Sequence, residues 1–111
     1  MIDVKILSYH SAQRYALRQT LIAAQRLLRI EYPEAEIHIT ELKDWMHIEQ
    51  YTPVLSAPSL VINEKLVCVG RFPSKQEVLG WLTSALQDHP EDLTKVVLGG
   101  AENEKRDKPG S

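Results

Sequence analysis

The stretch Tyr51-Thr52-Pro53-Val54-Leu55-Ser56-Ala57-Pro58-Ser59-Leu60-Val61-Ile62-Asn63 decides the architecture. Its prolines, with Ser56 and Ala57 beside them, cannot sit inside a helix and mark a connection. The apolar run 59–63 that follows has the length of a strand, and a second run, 66–69, begins so soon afterwards that only a hairpin can join the two. The turn falls on Asn63 and Glu64, so it either carries a glutamate in the left-handed region or is longer than two residues. Beyond the hairpin, Ser74-Lys75-Gln76-Glu77 spells a capping box in which serine and glutamate satisfy each other's backbone N–H groups. Val78, Leu79, Trp81, Leu82, Ala85 and Leu86 then recur at helical spacing, with Trp81 expected in the core.

Before the stretch, residues 44–51 read as a short helix with Asp44 near its start, which must bury something to stay folded even if Trp45, Met46 and Ile48 look like a recognition patch. A strand is expected over 35–42, with Ile37 and Ile39 on one face and Glu36, His38 and Thr40 on the other. Pro33 stops a long amphipathic helix over 11–30, where Ala16, Thr20, Ala23, Leu27 and Leu17, Leu21, Ala24, Leu28 make a broad apolar stripe. Ser11 is its expected N-cap. Ile2, Val4 and Ile6 alternate with Asp3 and Lys5, the period of a strand over 2–8.

With 111 residues, 43% hydrophobic and 25% charged, the chain has room for one folded domain. That domain is expected over 1–88, with 89–111 as an extension whose last ten residues have too little to bury to become ordered alone, leaving Val96, Val97 and Leu98 as a short apolar patch that could order on docking. Lys+Arg 13 against Asp+Glu 15 gives a net charge of -2, without the basic field that draws a protein to nucleic acid. No apolar run approaches a membrane span and residues 1–3 do not begin a signal peptide, so no membrane association and a cytoplasmic location are expected. The single cysteine, Cys68, excludes a disulfide framework and a multi-thiolate zinc site.

Strand, helix, strand, helix, strand, strand, helix is a parallel βαβ unit followed by a hairpin. Three segments carry a resemblance: Ile6-Leu7-Ser8-Tyr9-His10-Ser11-Ala12-Gln13-Arg14, the 51–63 stretch, and Val69-Gly70-Arg71-Phe72-Pro73-Ser74. Over roughly the first 86 positions the chain resembles the small thioredoxin-like and glutaredoxin-like proteins. The resemblance implies an α/β fold, the thioredoxin-like three-layer α/β/α sandwich in βαβαββα order with a four-stranded mixed sheet. It also implies a cis-proline at Pro58, preceded by the small residue Ala57. The family's Cys-x-x-Cys positions read Ser11, Ala12, Gln13, Arg14 here. A hydroxyl stays protonated where a thiol would ionise, and no resolving thiol exists, so dithiol–disulfide exchange is excluded.

Cys68 lies between two valines and is expected to pack as a small apolar side chain. His10, His38, His47 and His89 show no ligand spacing, and no metal is expected. Ser11 lacks an evident base pair, since no acidic residue is identified to orient His10, and no catalytic residue is assigned. The candidate ligand or peptide groove is formed by Ala57 and Pro58 on one side and Tyr9, His10, Ser11 and Arg14 on the other. As the resemblance implies, the backbone of Ala57 would pair with an extended peptide or with glutathione, and Arg14 would offer a cation for a carboxylate. A candidate partner face is Arg18, Ile22, Gln25 and Arg29, which project opposite the apolar stripe. The expected function is therefore a protein- or peptide-binding or adaptor module without a cofactor. The alternative is a glutathione-dependent transferase or reductase in which Ser11 or Tyr9 activates the ligand's thiol.

Overall fold

β1 (Ile2–Leu7), α1 (Ser11–Glu31), β2 (Ile37–Leu42), α2 (Trp45–Ile48), β3 (Ser59–Ile62), β4 (Lys65–Cys68) and α3 (Lys75–Gln87) follow one another in the computed structural model, which describes residues 1–55 and 57–88. Ser56, the Val96–Leu98 patch and the rest of the expected C-terminal extension lie outside the described residues. The strands form one mixed sheet in the order β2-β1-β3-β4. β1 and β2 are parallel, joined by α1, whereas β1–β3 and β3–β4 are antiparallel.

The alternation of β1 sends Ile2, Val4 and Ile6 to the face covered by α1 and α3. Leu17, Leu21, Ala24 and Leu28 of α1 meet them there with Val78, Leu82, Ala85 and Leu86 of α3. Burial of each such leucine contributes about 2 kcal/mol, and truncating the buried Leu21 to alanine would cost about 3 kcal/mol. The buried stripe is narrower than the apolar positions of α1, and Ala16 is exposed. The opposite face of the sheet holds a smaller cluster, in which Leu7 and Val61 are covered by Ile48, Leu42, Tyr51 and Leu55. The short α2 thus buries Ile48 alone, leaving Trp45 and Met46 exposed.

Two helix starts differ in kind. At α3 the capping box forms as expected, with the Ser74 hydroxyl accepting from the Glu77 N–H (3.1 Å) and the Glu77 carboxylate accepting from the Ser74 N–H (3.0 Å). At α1 the expectation of a Ser11 cap is corrected: Ser11 is the first helical residue, and His10 holds the capping position without a side-chain bond. The serine that orders this turn is the buried Ser8, whose hydroxyl accepts from the His10 N–H (3.1 Å) and donates to Gln13 Oε1 (2.6 Å).

The hairpin resolves toward the two-residue turn. Asn63 (φ 50) and Glu64 (φ 65) both lie in the left-handed region. Asn63 is tied on both sides to Asp3, whose N–H donates to Asn63 Oδ1 (2.9 Å) and whose carbonyl accepts from the Asn63 N–H (2.8 Å). The Glu64 carboxylate accepts from Lys5 Nζ and from the Tyr51 hydroxyl (2.9 Å). The Asp3 carboxylate, which also accepts from Lys5 Nζ, and then Glu64 hold the Lys5 ammonium well above its ordinary pKa, while the hydrogen bond to Glu64, with burial, holds the Tyr51 phenol above its own.

Candidate functional site

Leu7 pairs with Ser59, so the loop leaving β1 and the loop entering β3 emerge at the same end of the sheet. Tyr9 and His10, whose rings lie 4.5 Å apart, therefore stand at the end where Ala57 and Pro58 approach. A third segment joins them. The Arg71 N–H donates to the Pro58 carbonyl (3.1 Å), and the Gly70 N–H donates to the buried Ser59 hydroxyl (3.2 Å). Gly70 has φ +68, and a Cβ there would lie 3.0 Å from Val54 Cγ1, so Val54 closes over this glycine. The Arg71 guanidinium holds Glu77 by two hydrogen bonds (2.9 and 2.8 Å), anchoring the 70–73 turn to the start of α3.

The platform so assembled has a buried Pro58 and a half-buried Ala57 at its centre. The N–H and C=O of Ala57 have no hydrogen-bond partner among the described residues. The segments joined here also carry exposed apolar side chains: Tyr9 (46%), Val54 (37%), Val69 (42%) and Phe72 (51%). Of these only Tyr9 was among the candidate residues. The 69–74 segment carried the resemblance, but the signal that it builds the site is Gly70, whose left-handed backbone sits in the turn that bonds to Pro58 and Ser59.

Arg14 is directed elsewhere. Its guanidinium donates to the Ser8 carbonyl (2.9 Å) and to Glu41 Oε1 (3.1 Å), over β2, whereas Ala57 and Pro58 enter β3 on the other side of β1. The expectation that Arg14 presents a cation beside Pro58 is corrected on that ground. Arg18 donates to the second oxygen of the same carboxylate (2.6 Å). Burial pushes the Glu41 carboxyl up, but the two arginines together outweigh it and hold the pKa below the ordinary value. Ser11, exposed, lines a depression of about 470 Å3 with Ala12, Arg14, Tyr15, Arg18 and Glu41. Of the candidate partner face, Arg18, Ile22 and Gln25 are half-buried and Arg29 is exposed.

Cys68 is buried, and its thiol donates to the Arg71 carbonyl (3.4 Å). Burial pushes its pKa up, which disfavours the thiolate that exchange or metal binding needs. Among the described residues, no group of three or more His, Cys, Asp or Glu is placed to hold a metal ion, and no helix is long and apolar enough to cross a membrane.

A family model described as a thioredoxin domain matches residues 4–83, more than half of the chain, from β1 into α3. Comparison with curated proteins and with solved structures returned no match.

Proposed function

Since the chain belongs to the thioredoxin-domain family, we propose that it is a binding module of that fold which takes an extended protein segment on the Pro58 platform. The observation that carries this reading is the set of exposed apolar side chains, Tyr9, Val54, Val69 and Phe72, on the segments joined at this end of the sheet, together with a backbone amide and carbonyl at Ala57 that no described residue occupies. An extended peptide supplies what such a surface lacks. Its backbone pairs with Ala57 as one more short strand, and its alternate side chains cover the exposed apolar ones. Neither step uses a thiol. The residues at the start of α1, Ser11 to Arg14, carry none, and the one thiol of the chain is buried beneath the Arg71 turn.

The test begins with peptides selected from a random displayed library against the full chain. Amide shifts of the isotope-labelled protein then locate where they bind. Shifts grouped at residues 9–10, 57–59 and 69–72, lost in Phe72→Ser while the fold is retained, are expected. Peptides that leave these amides unmoved would overturn the reading. Reduced glutathione at millimolar concentration is the companion titration, and saturable shifts at Ala57 with transferase turnover would transfer the site to an enzymatic role.

A further inference from the structure

The two edges of the sheet are built differently. β4 has four residues, begins with an exposed lysine, Lys65, and meets β3 through a register irregularity at Leu60/Val61. Short length, an edge lysine and a bulge are devices that keep another strand from adding to a sheet. β2 has none of them. It runs six residues, Ile-His-Ile-Thr-Glu-Leu, without lysine, proline or bulge, in unbroken register with β1 from Ile2↔Ile37 to Leu7↔Leu42. The Ile2 N–H donates to the Glu36 carbonyl and the Ser8 N–H to the Leu42 carbonyl. By the alternation of a parallel ladder, the backbone groups of Glu36, His38, Thr40 and Leu42 face β1, and those of Ile37, Ile39 and Glu41 point outward from the sheet.

That edge is also the side on which α1 leaves its arginines. Arg18 reaches Glu41 of β2, and Arg29, eleven residues later, falls about 20° from it around the helix. Arg29 therefore overhangs the other end of β2, near Ile37, with Ile22 and Gln25 between. Arg29 has no ion-pair partner among the described residues, and Ile37 and Ile39 remain half-exposed although they pack on the core.

We propose that two copies of this chain join edge to edge through β2, antiparallel, with the two-fold axis at Ile39, so that one sheet of eight strands runs through the dimer. This register is the one in which the chemistry of the β2 edge is self-complementary. The outward-facing residues Ile37, Ile39 and Glu41 meet Glu41, Ile39 and Ile37 of the second copy, so every outward N–H and C=O finds a partner. Ile39 packs on its own counterpart. The incoming Glu41 arrives beside Ile37, under the overhanging Arg29, and the symmetric pair forms at the other end. Shifting the axis to Thr40 would instead set Ile39 against Glu41 and Ile37 against Lys43, leaving the isoleucines without apolar partners. The proposal is independent of the Pro58 platform, which lies at β3.

Sedimentation equilibrium of the full chain tests it. A species of about twice 12.6 kDa is expected at micromolar concentration. In Ile39→Cys, mild oxidation should give a disulfide-linked dimer, because a directly opposed antiparallel pair is within about 5.5 Å at Cα. Thr40→Cys should not cross-link, since it faces His38 of the other copy. The double variant His38→Lys/Thr40→Lys places two Lys–Lys pairs across the axis and should yield a folded monomer. Arg29→Glu, on an exposed helix position that folding does not need, should weaken association by about tenfold. A wild-type chain that stays monomeric at all concentrations, or a dimer indifferent to both charge variants, overturns the proposal. A cross-link through Thr40→Cys and not Ile39→Cys overturns the register.

Discussion

The hydroxyl of Ser59 accepts the backbone N–H of Gly70 across 3.2 Å, and this contact fastens the loop after β4 to the head of β3. Ser59 is buried, so no water replaces it. Ser59→Ala leaves the Gly70 N–H without its partner and should lower stability by about 1–2 kcal/mol. Urea denaturation would measure the loss, and hydrogen exchange at Gly70 should accelerate beyond the global change.

Gly70→Ala meets two costs that can be separated. The φ of +68 places an alanine in the left-handed region, at about 1–2 kcal/mol. Its Cβ would also stand 3.0 Å from Val54 Cγ1. Adding Val54→Ala should recover only the second part, so a double-mutant cycle in denaturant should show positive coupling with a residual loss of about 1 kcal/mol or more.

These two residues also mark where reading the sequence stops. The α3 cap was legible because Ser74 and Glu77 lie three positions apart and need only each other. The α1 cap was not, because the helix begins one residue earlier than a Ser11 cap requires, so His10 holds the capping position without a side-chain bond and the buried Ser8 instead accepts from the His10 N–H. The order of the elements follows from local periodicity and turn chemistry. The rim of the site does not: the segments that carry Tyr9, Val54 and Phe72 are brought to one end of the sheet only through Leu7 pairing with Ser59 and Gly70 reaching Ser59, contacts between distant parts of the chain. Arg14 was misplaced for the same reason, since the Glu41 that turns it away comes from the far edge of the sheet.

The Glu77 carboxyl, drawn down to about 2 first by the Arg71 guanidinium and then by the Ser74 N–H, has a pH signature. A depressed carboxyl contributes stability that is present above its ordinary 4.5 and is lost as pH falls from there toward 2. Glu77→Gln keeps a residue able to complete the capping box but removes the charge. Its acid unfolding curve should therefore be flatter than the wild-type curve through that window, and the two should converge at the acid end.

At the hairpin, Glu64→Ala keeps the left-handed strain and loses the contacts to Lys5 and Tyr51, whereas Glu64→Gly loses the contacts and relieves the strain. The glycine variant should be the more stable of the two by about 1 kcal/mol. Equal midpoints in thermal denaturation would show that the backbone conformation at Glu64 carries no such cost.

The partners of that turn lie far away along the chain: Lys5 and Asp3 belong to the first strand, about sixty positions before Glu64 and Asn63. A tight turn of ordinary Asn-Gly type can close by itself and start a sheet, but this one is held by groups that arrive only when β1 is already in place. The hairpin is thus expected to be a late event in folding rather than a seed. Substitutions at Glu64 should then leave the folding rate nearly unchanged and appear instead in the rate of unfolding.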